Sequence, residues 1–232
     1  MSAIHNRVKN IIFAFVILLL IVVNVSQYIE KQKYIQYMSD NLMVDFGNMN
    51  SSILRANSVL DRILTTKELS QEDASLLKDA SVLIASELQD YHQIAVYDLK
   101  RESIDNLSDT SETVASDIAI YFSDLFGNLP SVHGSVKLNE YQLEKIKTIK
   151  QLSDRWRDEV EVHAVTVNPG QTVEETIDRF LNGNYQEIYE KNAITKEYWV
   201  DFLVNLSNKT EAYLNQKNLN TEHGFGSYLS LN

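Results

Sequence analysis

Apolar and polar positions divide the chain into two regimes. From Ile11 to Val23, thirteen residues run without a polar interruption. From Ile35 onward the apolar residues recur at Met38, Leu42, Phe46, Met49, Ile53, Ala56, Leu60 and Ile63, in steps of three and four. The first pattern is apolar on every side, which suits a helix wrapped in lipid. The second places one apolar stripe on a helix that continues from the first. Its steps follow a heptad rhythm with one four-residue stutter from Leu42 to Phe46, and Gly47 just beyond marks a place for a bend.

Extended through Tyr28 and Ile29, the apolar run approaches the roughly 20 residues that cross a bilayer as a helix. Residues 11–29 are therefore predicted to be a transmembrane signal-anchor behind a short basic tail, residues 1–10, that carries Arg7 and Lys9. Ile11, Phe13, Phe15, Leu18, Leu20, Val23 and Tyr28 are its membrane-spanning residues, which makes lipid the first expected partner. A cleaved signal peptide is the competing reading. It fits less well, because Val23-Asn24-Val25-Ser26-Gln27 offers no pair of small residues at A-x-A spacing. Arg7 and Lys9 favour a cytoplasmic N-terminus and an extracytoplasmic body, although Lys31 and Lys33 flank the other end equally. Asn24, near the outer end, either stays hydrated or bonds across a helix dimer.

The remaining chain reads as an all-α body, a bundle of long antiparallel helices. Residues 30–100 form a long helical hairpin. Thr65 and Thr66 break its first arm, and Ser70 caps a second whose first turn carries Glu72 and Asp73. That arm uses Leu76, Leu77, Ala80, Leu83, Ile84, Leu88, Tyr91 and Ala95. Residues 101–220 supply the rest of the bundle: a helix over Val114–Leu125, a loop over 127–138, and a helix capped by Asn139 that runs through Trp156 to about Ala164. The β-branched stretch Val160–Val167 clouds that end, but Arg155–Glu159 and Arg157–Glu161 fit helical pairing. Asn168-Pro169-Gly170 is a turn, Thr172 caps another helix, and a last long helix covers about Thr195 to Gln216. Residues 221–232 read as a flexible tail.

Composition narrows the function. The anchor region holds two basic groups and no acids, so residues 30–232 carry nineteen basic against thirty-two acidic side chains, a balance of −13. That argues against binding nucleic acid or anionic lipid through the body's surface. The chain has no cysteine, so disulfides and a lipoprotein anchor are excluded and packing alone holds the fold. This suits a bacterial envelope protein.

Chemistry-bearing motifs are sparse. Ser75-Leu76-Leu77-Lys78 and Ser39-Asp40-Asn41 match two signatures of penicillin-binding enzymes, but the order is inverted and K-T-G is missing. Glu159 and His163 share a helical face without a third metal ligand, so no metal site is expected. Glu72-Asp73 and Glu174-Glu175 sit in first helical turns, where they offset the dipole. No phosphate-binding or dinucleotide-binding glycine pattern occurs, so no cofactor is expected. Sequons fall at Asn50, Asn106, Asn205 and Asn208.

The candidate surfaces are apolar and aromatic. Phe46, Met49, Ile53 and Leu60 form a candidate self-association seam, or else pack against the helix that starts near Ser70. Trp156, Tyr185, Tyr189, Tyr198 and Trp199 form a candidate ligand or partner surface, or else core. The layout of one anchor and a helical body resembles that of bacterial envelope accessory proteins and helical sensory ectodomains, in architecture alone. The sequence points to a membrane-anchored, non-catalytic interaction protein that docks a partner or a second copy. The alternative is a ligand-binding domain signalling through another membrane protein.

Overall fold

The computed structural model describes residues 2–103, 106–128, 134–163, 192–219 and 224–230. The described residues hold six α-helices, one short β-ribbon, a π-type turn and a 3₁₀ turn. The first helix, α1, is a single unbroken rod, Ser2–Thr66, of 65 residues. Gly47 lies inside it and introduces no break.

At the far end of α1 the chain reverses within a few residues. Lys67 takes a left-handed conformation (φ 58°) and its N–H bonds the Ile63 carbonyl. Strand β1, Glu68–Ser70, follows and pairs antiparallel with β2, Ser135–Lys137, with Leu69 opposite Val136. Ser70 then caps α2, Gln71–Gln93, its Oγ accepting the Asp73 N–H at 3.0 Å. This satisfies one of the free donors of the first turn. The helix widens into a π-type turn, Ile94–Asp98, and ends as Lys100 adopts φ 51°.

Helix α3, Thr110–Asn128, turns back along α2, and α4, Glu140–His163, descends beside α1. A reciprocal capping box opens α4. Asn139 Oδ1 accepts the Gln142 N–H at 2.8 Å, and Gln142 Oε1 accepts the Asn139 N–H at 3.0 Å. A 3₁₀ turn, Ala193–Thr195, leads into α5, Tyr198–Lys217, which rises against α4. Helix α6, Gly224–Leu229, closes against α3. The architecture is an all-α antiparallel bundle built round the C-terminal half of α1.

The stripe on α1 is the spine of the core. Leu42, Phe46, Met49, Ile53, Ala56, Leu60 and Ile63 are all buried, with Ile35 and Met38 partly so. Leu77, Ile84 and Leu88 of α2, Phe122 of α3, Ile149 and Trp156 of α4, and Phe202 and Leu206 of α5 pack into the same cluster. One polar seam crosses it. Asn57, buried on α1, donates to Ser153 Oγ (3.2 Å) and Asp154 Oδ1 (3.0 Å), and Lys150 bridges Asp154 (2.6 Å) and Asp61 (2.9 Å). These bonds hold the Asp154 carboxyl below its ordinary range and fix the register of α4 on α1.

Several expectations need correction. The flexible tail gives way at residues 224–230 to a helix whose Phe225 and Leu229 are buried. Lys145 is itself 1% exposed and donates to the carbonyls of Leu229 (3.0 Å) and Ser230 (2.5 Å), at the helix end where a cation offsets the dipole. Asp117 on α3 accepts the N–H of Gly226 near the opposite end. A Cβ at Gly226 would lie 2.6 Å from that carboxylate, so a larger residue there requires the Asp117 side chain to move. Of the two i,i+4 pairs, Arg157–Glu161 forms (3.4 Å), whereas Glu159 is buried against Lys209 and Arg155 reaches Gln216 (2.8 Å). Helix α4 is observed to His163; Ala164 to Val167, the turn at 168–170 and the helix capped by Thr172 lie outside the described residues.

Candidate functional site

The segment Ile11–Ile29 is the most exposed apolar surface among the described residues. Every residue from Lys9 to Tyr34 is exposed, although Ile11 to Val23 are entirely apolar. Phe13 and Phe15 stand 69% and 64% open, and Ile11, Leu18, Leu20, Val23 and Tyr28 are exposed as well. Within the described residues this helix is long and apolar enough to cross a membrane. Water does not tolerate such a surface in bulk: contiguous apolar patches larger than a few hundred Å² are rare on soluble monomers. Asn24, the first polar residue after the apolar run, donates to the Leu20 carbonyl at 2.8 Å and is satisfied within its own helix.

The candidate seam lies inside the body. Phe46, Met49, Ile53 and Leu60 are at most 3% exposed, and Phe46 packs edge-on against Tyr91 of α2 and Phe202 of α5. A second copy reaches none of the four while the bundle is closed.

The aromatic candidates separate. Trp199 is buried, its indole donating to the Ile194 carbonyl (3.2 Å), with Arg101 over its ring at 5.8 Å. Trp156 is buried and donates to Thr210 Oγ1 at 2.9 Å. Tyr198 is half-buried against the core. Tyr185 and Tyr189 lie outside the described residues. The cavity beside Trp156, lined also by Ser81 and Ser153, has a volume of about 20 Å³, room for one water.

Two larger concavities open on the surface. One, of about 990 Å³, lies at the far end between Ser52, Arg55, Glu72, Ser75, Asp79 and Phe126. The other, of about 450 Å³, is a groove along α2 and α3 lined by Val82, Ala85, Ser86, Gln89, Thr113, Ser116, Ala119 and Ile120, with Glu112 at its edge. Val82 and Ile120 are exposed there, and Glu112 is the one ionisable group of the lining.

The motif serines are far apart and engaged. Ser39 is buried, donates to the Ile35 carbonyl (2.7 Å) and accepts the Ile194 N–H (3.1 Å). Ser75 bonds Asp79 (3.3 Å), as does its neighbour Lys78 (3.1 Å), at the opposite end of the body. No trio of His, Asp or Glu among the described residues is placed to hold a metal. Of the sequons, Asn50 is buried, whereas Asn106, Asn205 and Asn208 are exposed.

Sequence reasoning missed one electrostatic cluster. Tyr91 donates to Asp45 Oδ2 at 2.8 Å, and its hydroxyl is pushed well above the usual tyrosine range by burial and by this bond. Burial, helped by Asp45 and Asp90, lifts Glu87 to about 7. Three acids thus meet where α1 and α2 pack. Beside them His92 pairs with Glu112 at 3.7 Å, and burial raises that carboxyl also. Spacing alone gave no sign of the cluster, because Asp45 and Glu87 meet only through the α1–α2 register.

Comparisons of the chain with family models, with curated proteins and with solved structures find no match in any of the three.

Proposed function

We propose that the protein is a membrane-anchored interaction protein that holds a stiff helical bundle at a bilayer surface, where helix faces dock a protein partner. One observation carries this reading: the same 65-residue helix bears the exposed apolar segment and forms the spine of the body. Anchor and body are one element, so whatever docks on the bundle is held at a fixed height above the membrane. We place the N-terminus in the cytoplasm and the bundle outside it, on the strength of Arg7 and Lys9. The occupant of the α2–α3 groove is a partner helix, because small side chains there (Ala85, Ser86, Ser116, Ala119) admit a close backbone approach and Val82 and Ile120 supply the apolar contact.

The test is a crosslinked pull-down of the full chain from its native membrane, run beside the double variant Val82→Asp/Ile120→Asp. One protein recovered near equal stoichiometry from the parent and lost from the variant supports the proposal. The same protein recovered from both removes the groove from it. Recovery of the chain with itself alone makes the occupant a second copy and overturns the hetero-partner reading.

A further inference from the structure

Outside the anchor, four exposed large side chains lie toward the end of the body that follows the apolar run. Tyr34, Tyr37, Tyr97 and Leu99 are 57%, 62%, 60% and 38% exposed. Tyr34 and Tyr37 follow the apolar run directly on α1. Tyr97 and Leu99 come near the level of Ser39, just beyond Tyr37, through the fold. Arg101, two residues on from Leu99, donates to the carbonyls of Ile194 (2.7 Å) and Lys196 (2.6 Å), and Ile194 N–H in turn bonds Ser39 of α1. The flank also agrees. Tyr34 lies eleven residues before Asp45, about three turns, and so shares its side of α1; Asp45 is the residue that accepts the Tyr91 hydroxyl of α2.

From Ile29, Tyr34 and Tyr37 are about 8 and 12 Å along the helix, and Ser39 about 15 Å, at 1.5 Å per residue. The headgroup layer is about 5–8 Å deep on each side of the hydrocarbon. Side chains on α1 lean toward its N-terminus, which brings Tyr34 and Tyr37 toward the bilayer, while Tyr97 and Leu99 follow a helix that runs the opposite way and are lowered by a tilt of about 20° toward the α2 flank. Charge agrees as well. Lys31, Lys33, Lys100, Arg101 and Lys196 balance Glu30, Asp40, Asp98, Glu102 and Glu197 at this end, while the body as a whole carries −13. An anionic surface repels the rest of the bundle but not this face.

We infer that Tyr34, Tyr37, Tyr97, Leu99 and Lys100 form a collar by which the body itself rests in the lipid headgroup layer. Tyrosine favours that layer because its ring is apolar and its hydroxyl wet, and lysine reaches phosphate from beside it. The inference rests on the reading of Ile11–Ile29 as a membrane span, and the experiment separates the two.

Because the chain lacks cysteine, single cysteines take a fluorophore without background. Leu20→Cys, Asp98→Cys and Gln71→Cys, each labelled with NBD, are placed as full-length protein in phosphatidylcholine vesicles carrying nitroxide on the headgroup or mid-chain. Asp98 should lose about half its emission to the headgroup nitroxide, since label and quencher share one layer. Gln71, at the far end, should lose none, and Leu20 should be quenched by the mid-chain nitroxide. Adding Tyr34→Ser and Tyr97→Ser should return Asp98 to the Gln71 level. If Leu20 is quenched while Asp98 behaves as Gln71 does, the collar is overturned and the span stands. If quenching at Asp98 survives both serine changes, the aromatic collar is likewise overturned. A Leu20 label indifferent to the mid-chain nitroxide removes the span and the collar together.

Discussion

The two halves of α1 are the same kind of helix in opposite circumstances. Between Lys9 and Tyr34 every side chain is open, and between Leu42 and Ile63 the stripe residues are shut inside the bundle. Leu18 and Leu42 are chemically identical, yet one is 59% exposed and the other 0%. What differs is arrangement. Apolar residues on all sides leave no polar face to present to water, so the helix calls for apolar surroundings on every side, which a bilayer supplies and this bundle does not. Apolar residues at steps of three and four leave a polar face for water and a stripe for partners. Hydrophobicity recruits a solvent; periodicity decides which one.

The strongest way to break this contrast is to delete matching rings in the two halves. Phe46→Ala removes a fully buried ring that touches Tyr91 and Phe202 and should cost about 3–5 kcal/mol of body stability. Phe15→Ala should leave the body's urea midpoint in detergent unchanged. Equal shifts for the two would mean the halves share one solvent. Next in size, Leu18→Arg should add about 2.5–3.5 kcal/mol to insertion and lower the membrane-integrated fraction, read by carbonate extraction, without unfolding the bundle.

A smaller effect sharpens the comparison inside the buried half. Gly47 has nothing within 4 Å of where a Cβ would stand, so Gly47→Ala should raise stability by about 1 kcal/mol through helix propensity. A loss instead would show that the spine needs flexibility there.

The smallest effect is electrostatic. Glu87 binds its proton more tightly in the folded state, near 7 against 4.5, so the folded chain holds more protons across that window. Stability should therefore fall as pH rises from about 4.5 to 7 and recover on acidification. Glu112 and Asp117, also raised, add in the same direction, while Asp154, lowered, opposes them only at lower pH. Glu87→Gln should flatten the Tm–pH profile between 5 and 7.5; an unchanged slope would remove Glu87 from the account.

Much of this was legible in the sequence because long helices repeat their signals. The α1 stripe, the Ser70 cap and the Asn139 cap each have a physical signature that spans several residues, and each is found in place. Three features were not legible. The β1–β2 ribbon has three residues per strand, too few to show alternation. Helix α6 has six residues, less than two turns, so its buried Phe225 and Leu229 carry no period. Lys145 reads as a surface lysine on α4 and is buried because the end of α6 supplies carbonyls and Tyr141 supplies a ring face 4.0 Å away. The candidate surfaces were harder still. Trp156 and Trp199 have the same sequence signature whether they line a groove or fill a core, and each spends its N–H on an interior acceptor.

The unbroken α1 also makes the molecule a lever. Its far end, Thr66, lies 37 residues beyond Ile29, about 55 Å at 1.5 Å per residue. A helix that leans by about 20° to match bilayer thickness would sweep that end sideways by about 19 Å. On the proposed reading of Ile11–Ile29 as a span, no joint separates it from the bundle, so a thinner or thicker membrane would be converted directly into the bearing of the body, and a few ångströms of lipid into a change in which neighbours its outer tip can reach.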